Sequence, residues 1–184
     1  MDAAVSSLSL LLPTVLSAVA LFFLSFLSWM VVQLHAADWR KLPHEDELRE
    51  ALRKSGINGG NFMFPGVEQP AEGRSPEFQQ KVQQGPTGVL TVFGSVNMAR
   101  NLALTMLYFL VTSYCLGYLA TLGIPRGAEF FTVFRFVATA GLLTHLSSIL
   151  SHAIWFHCRV VGHGVESIVY ALTLGFIFGA LWPA

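Results

Sequence analysis

Residues 130–150 read FFTVFRFVATAGLLTHLSSIL, a run with one formal charge, Arg135. A helix needs about 20 apolar residues to cross roughly 30 Å of hydrocarbon at 1.5 Å per residue, and this run has that length. Three further runs resemble it: Leu10–Val32, Leu102–Leu122 and Val165–Trp182. Together they explain a composition of 53% hydrophobic and 12% charged residues, where a soluble domain carries about a quarter charged. Length separates a spanning helix from a buried soluble one where periodicity cannot. The 184-residue chain is therefore expected to be a single all-α integral membrane domain, a four-transmembrane-helix bundle.

The first run resembles a secretion signal only in position. MDAAVSSLS has no basic residue, and the apolar stretch exceeds the roughly 7–15 residues of a signal core, so it reads as a retained helix. Pro13 suits a first turn, and Trp29 suits an interfacial anchor.

Residues 35–101 form the one large extramembrane segment, with eight Lys/Arg and eight acids, and are expected to mix helix and loop. Pro43–Ser55 predicts a surface helix: Glu45, Asp46 and Glu47 crowd its first turn, Arg53 and Lys54 its last, and Gly56 suits a left-handed stop. Gly59–Gly66 reads as a turn-rich loop exposing two aromatics. Ser75 caps a second short helix, Pro76–Gln84, which Gly85-Pro86 stops. Gly88–Gly94 (GVLTVFG) is too short to span. With no partner strand evident, it is expected to be a packed loop or an interfacial segment.

Four crossings place 35–101 and the 157–164 connection on one side, with nine Lys/Arg, and leave Arg126 on the other. Arg40, Lys41, Arg100 and Arg159 near the helix ends put that side in the cytoplasm and both termini outside, in a plasma membrane.

Three groups of residues bear on chemistry. Arg135 lies about 10 Å inside the third helix if that helix enters near Ala128. A charge at the centre of a span costs roughly 2.5 kcal/mol or more unless it is paired or snorkels. At its depth the chain offers Tyr114 or Tyr118 but no acid, so Arg135, Tyr114 and Tyr118 are candidates for a buried-charge or partner contact. Second, His145, His152, His157 and His163 gather near one membrane face, with Cys158, Glu166 and His35 close in position. Imidazole, thiolate and carboxylate are transition-metal ligands, so the four histidines are the candidate metal set. Their spacing matches no HExxH, CxxC or Glu-x-x-His pattern, and no cofactor is expected. Third, Ala138, Gly141, His145, Ser148 and His152 form a small and polar stripe on the third helix. Gly175 and Gly179 form a GxxxG on the fourth. Small residues let helix backbones approach closely, within the bundle or against another chain.

Zero net charge gives no footprint for nucleic acid. Cys115 and Cys158 make neither a disulfide framework nor a metal motif. GxSxG, Walker A and GxGxxG patterns are missing, no acid is placed mid-membrane, and no inverted repeat is visible.

Asp38-Trp39, Leu42-Pro43, Asn61-Phe62-Met63-Phe64-Pro65, Gly85-Pro86-Thr87-Gly88, Asn97-Met98-Ala99-Arg100-Asn101 and Ala153-Ile154-Trp155-Phe156 together resemble an uncharacterised family of small bacterial four-transmembrane-helix proteins. Members show Asp-Gly ahead of the last helix, where this chain has Glu166-Ser167. The resemblance implies the topology and a bacterial inner membrane, and no mechanism.

The expectation is a non-enzymatic membrane protein, a self-associating or accessory subunit. Its partners would be lipids, further copies of itself or other membrane subunits, and not nucleic acid. Two rivals stand beside it: an oligomeric channel or small-solute carrier, and a metal- or haem-binding membrane protein.

Overall fold

The computed structural model describes residues 6–156 and 158–184, apart from the side chains of Ser7 and Ser148. A 3-10 turn, Ser7–Leu10, is capped by the Ser6 hydroxyl and leads into α1 (Leu11–Phe26), which ends in a wide π turn, Leu27–Val31. The connector contains α2 (Glu45–Lys54), β1 (Gly60–Phe64), α3 (Pro76–Gln84) and β2 (Gly88–Val92). Then follow α4 (Met98–Thr121), α5 (Phe130–Phe156) and α6 (Val161–Ala180). Among the described residues four helical segments are long and apolar enough to cross a membrane: Leu8–Val31, α4, α5 and α6. The chain divides into a helical unit, up to Arg40 and from Met98 onward, and a separate unit, Lys41–Asn97.

Two of the helix boundaries that differ from expectation bear on the polar groups. α5 does not stop at Leu150 but continues to Phe156, because no Gly or Pro interrupts His152–Phe156. α6 starts at Val161 rather than Val165, taking Gly162 and Gly164 into its first turn. The earlier start moves Glu166 from a helix edge to about 7 Å inside the helix.

In the helical unit α5 and α6 pack along most of their length, α1 packs on α4 and α6, and α4 touches α5 more thinly. Small residues set these approaches. Gly175 backs onto Ala138 and Phe134, Gly179 onto Phe130, and Gly141 onto Ala171 and Leu174. A Cβ on Gly117 of α4 would stand 2.5 Å from the Phe178 ring of α6. That hole lets Phe178 cross the core, where it is fully buried with Leu21, Val133, Val137 and Leu174. The outer faces are large and apolar, with Phe131, Leu143, Ile154 and Phe176 each more than 60% exposed. Water would not tolerate so continuous an apolar surface, and hydrocarbon does. At the other end of the bundle the Trp182 indole donates to the Pro125 carbonyl at 2.8 Å. The Gly127 amide donates to the Pro183 carbonyl at 2.9 Å.

The connector unit corrects the reading of its two apolar stretches. Gly88–Val92 is neither a packed loop nor an interfacial segment but a strand, and its partner is Gly60–Phe64, read above as a loop. They pair antiparallel with Phe62 opposite Leu90, and the Thr91 hydroxyl donates to the Asn61 side chain at 2.9 Å. The pairing is not legible in the sequence because β1 and β2 are separated by α3, and register across so long an excursion is a non-local property. Ser75 caps α3 as expected, accepting from the Phe78 amide at 3.1 Å. α2 begins at Glu45 rather than Pro43, since His44 adopts a left-handed φ of 55°. Gly56, at φ 68°, follows its end.

Candidate functional site

A cluster of buried and part-buried polar side chains forms where α1 ends and α6 begins. In the π turn the Val32 amide reaches back to the Leu27 carbonyl (2.8 Å), and the Leu34 amide bonds the Ser28 carbonyl (3.0 Å). Gln33 sits between them at a φ of 55°, a conformation that disfavours a side chain and turns the chain sharply. The turn delivers His35 beneath Trp29, ring on ring, with centroids 4.1 Å apart and planes 16° from parallel. His35 is only 2% exposed.

The next residues wind one 3-10 turn, Ala36–Asp38. It brings Asp38 Oδ2 to 2.7 Å from His35 Nδ1. A carboxylate can only accept here, which assigns the Nδ1 proton to His35. Arg159 supports the turn: its guanidinium donates to the Ala37 carbonyl at 3.0 Å and lies 3.9 Å from Asp38.

α6 supplies the other half. A Cβ on Gly162 would stand 2.9 Å from His35 Cε1, so only glycine lets the imidazole lie against this turn. His163 and Glu166, three residues apart, share the same helix face. Glu166 Oε2 is 3.2 Å from His35 Nε2 and 3.9 Å from His163 Nδ1, and the two imidazole centroids are 4.4 Å apart. Glu166 is 8% exposed. His35 Nε2 and Glu166 Oε1 are both buried without a hydrogen-bond partner among the described residues. Thus the 3.2 Å approach has the distance of an ion pair without the alignment of a hydrogen bond. With Nδ1 carrying the proton of a neutral ring, Nε2 would turn a lone pair toward a carboxylate oxygen. The arrangement calls for positive charge between them, a second proton or a cation.

The residues singled out from sequence divide sharply. Of the candidate histidines, His163 joins this cluster, and His157 lies outside the described residues. His145 faces α4 and α6 instead, 3.3 Å from the Tyr108 hydroxyl and edge-on to Tyr170. His152 is exposed and stacks on Phe156. The three described ones, His145, His152 and His163, do not form one cluster. Arg135 is exposed on the outer face of α5, its Nε donating to the Phe131 carbonyl one turn back at 3.3 Å. Tyr114 and Tyr118 are exposed on α4, and no described contact links them to Arg135. Ala138, Gly141, Gly175 and Gly179 face the α5–α6 contact within the chain. The side chain of Ser148 lies outside the described residues.

The residues at the centre, His35, Asp38 and Glu166, were noted only as neighbours of the histidine group or not singled out. A signal was present: His35-Ala36-Ala37-Asp38 and His163-Gly164-Val165-Glu166 are two His-x-x-acid sequences. Each places its imidazole and carboxylate on one side of a single turn. No protein-family model, curated protein or solved structure matches the chain.

Proposed function

We propose that the chain is a non-enzymatic membrane subunit that associates laterally, through the outer face of α5, with a second copy or another membrane protein. Arg135 carries this reading. It projects from a helix otherwise without Lys, Arg, Asp or Glu, and its hydrogen bond is to its own helix. In hydrocarbon such a guanidinium is stabilised by a carboxylate, carbonyl or phosphate brought from outside. One helical turn to either side, Phe131 and Thr139 share its exposed face, and Leu143 continues it.

The GxxxG of α6 is an unsuitable docking face, because Gly175 and Gly179 already hold Phe134, Ala138 and Phe130. Arg40, Lys41, Arg100 and Arg159 near the helix ends support a cytoplasmic location for residues 35–101. Cross-linking in native membranes through Thr139→Cys tests association directly. The expected result is a cross-linked dimer or a larger adduct that weakens when Arg135→Leu is added. Absence of any adduct in the otherwise native chain overturns the proposal.

A further inference from the structure

We infer that His35, His163 and Glu166 form a binding site for a divalent transition-metal ion of the zinc and cobalt class, with Asp38 orienting the deepest ligand. The sequence reading expects no cofactor and favours other histidines, so this site is an addition from the fold.

The donor set comes first. Two imidazole nitrogens and one carboxylate oxygen are first-choice ligands for such an ion. One ligand atom from each of the three residues lies within 4.8 Å of the others. Around a tetrahedral ion with bonds of about 2.0–2.1 Å, neighbouring ligand atoms stand roughly 3.3 Å apart. The observed separations from Glu166 Oε2, 3.2 Å to His35 and 3.9 Å to His163, bracket that spacing. His163, 31% exposed, is the ligand with room to close the difference.

The surroundings of His35 provide a second, independent observation. A metal-bound imidazole almost always donates its other N–H to a carboxylate or carbonyl, which holds the ring and makes it a better donor. His35 has this arrangement: Nδ1 on Asp38 at 2.7 Å, with Nε2 left 3.2 Å from Glu166 Oε2. Trp29 clamps the ring face and Gly162 makes the space for it. The unpartnered buried atoms point the same way. A purely structural ion-pair clasp would align a His35 N–H with the carboxylate, yet among the described residues Nε2 makes no aligned hydrogen bond, and the carboxylate's other neighbour is the Tyr170 hydroxyl. A cation at the centre would use the Nε2 lone pair and offset the carboxylate charge together. Three protein ligands from a part-exposed corner leave a fourth position for water or an exogenous ligand.

The full-length chain, purified in mild detergent and stripped with chelator, is titrated with Co2+ and followed by its visible absorption. The expected result is saturation at about one ion per chain, with the intense visible bands of a four-coordinate site, and displacement by Zn2+. His163→Ala should abolish these bands while leaving the His35–Asp38 contact and the helical circular dichroism in place. His163→Cys should restore binding and add a thiolate-to-cobalt charge-transfer band, which guards against misreading a folding defect. Asp38→Asn should keep the stoichiometry and weaken affinity about 10–100-fold. His145→Ala and His152→Ala should change nothing. No uptake by the unmodified chain, or uptake that survives His163→Ala, overturns the site, the latter by assigning the metal to surface histidines.

Discussion

Arg135 and Glu166 occupy matching places on neighbouring helices, each five residues beyond the first residue of its helix, Phe130 and Val161. Their environments are opposite. Arg135 points away from the bundle and bonds its own backbone, whereas Glu166 is buried against two imidazoles from different segments. Distance along a helix therefore does not decide whether a charge is buried. Direction around the helix does, together with the reach of the side chain. One turn from Arg135 lie exposed Phe131 and Thr139, while one turn from Glu166 lie buried Gly162 and Tyr170. A long guanidinium can bend back to a carbonyl or an interface. The shorter glutamate side chain must be met where it stands, and His35 meets it.

The contrast is most directly broken at Glu166. Glu166→Ala removes one partner from a buried charged cluster, and the expected loss is roughly 3–5 kcal/mol of stability. Unfolding by sodium dodecyl sulfate titration in mixed micelles measures it, and a loss below about 1 kcal/mol would mean that the carboxylate is not engaged. Gly162→Ala tests the space instead of the charge. Its methyl group would press on His35 at about 3 Å, with an expected cost of about 1–3 kcal/mol from overpacking. Because Trp29 stacks on the same ring, its fluorescence should shift in that variant.

At the exposed charge the expectation reverses. Arg135→Leu should leave the unfolding free energy of the isolated chain within about 0.5 kcal/mol, as for a surface site, while weakening association in the membrane. A larger intrachain loss would place a partner for Arg135 inside its own bundle. The smallest effect is expected for His152→Ala, exposed and stacked only on Phe156. Stability within about 0.5 kcal/mol and unchanged metal uptake, read in the same titrations, would separate it from His163. Loss of the metal on this change would return it to the site.

Much of the fold was legible residue by residue. The α3 boundaries followed from Ser75 and Gly85-Pro86, because a cap and a stop act over one turn. The β1–β2 pairing was not, since GVLTV becomes a strand only when GNFMF lies beside it. At the site, the ligand types were legible but their grouping was not. His145, His152 and His163 are near neighbours by position, yet α5 turns the first toward Tyr108 and Tyr170 and leaves the second exposed. Placing the start of α6 at Val165 also hid Glu166 at an apparent helix edge. The helix starts four residues earlier, and its first turn holds Gly162, against which His35 from another part of the chain packs.

The amino-acid sequence by itself determined four apolar helices and a charged connector. Hydrocarbon thickness sets a length, and a run of side chains either meets that length or does not. Tertiary structure alone decided which polar groups share a site. The π turn and left-handed Gln33 swing His35 under Trp29, Gly162 admits its ring, and the direction of α6 presents His163 and Glu166. Each of these conditions is local, but their coincidence depends on α1 and α6 packing side by side, which one-dimensional patterns do not encode.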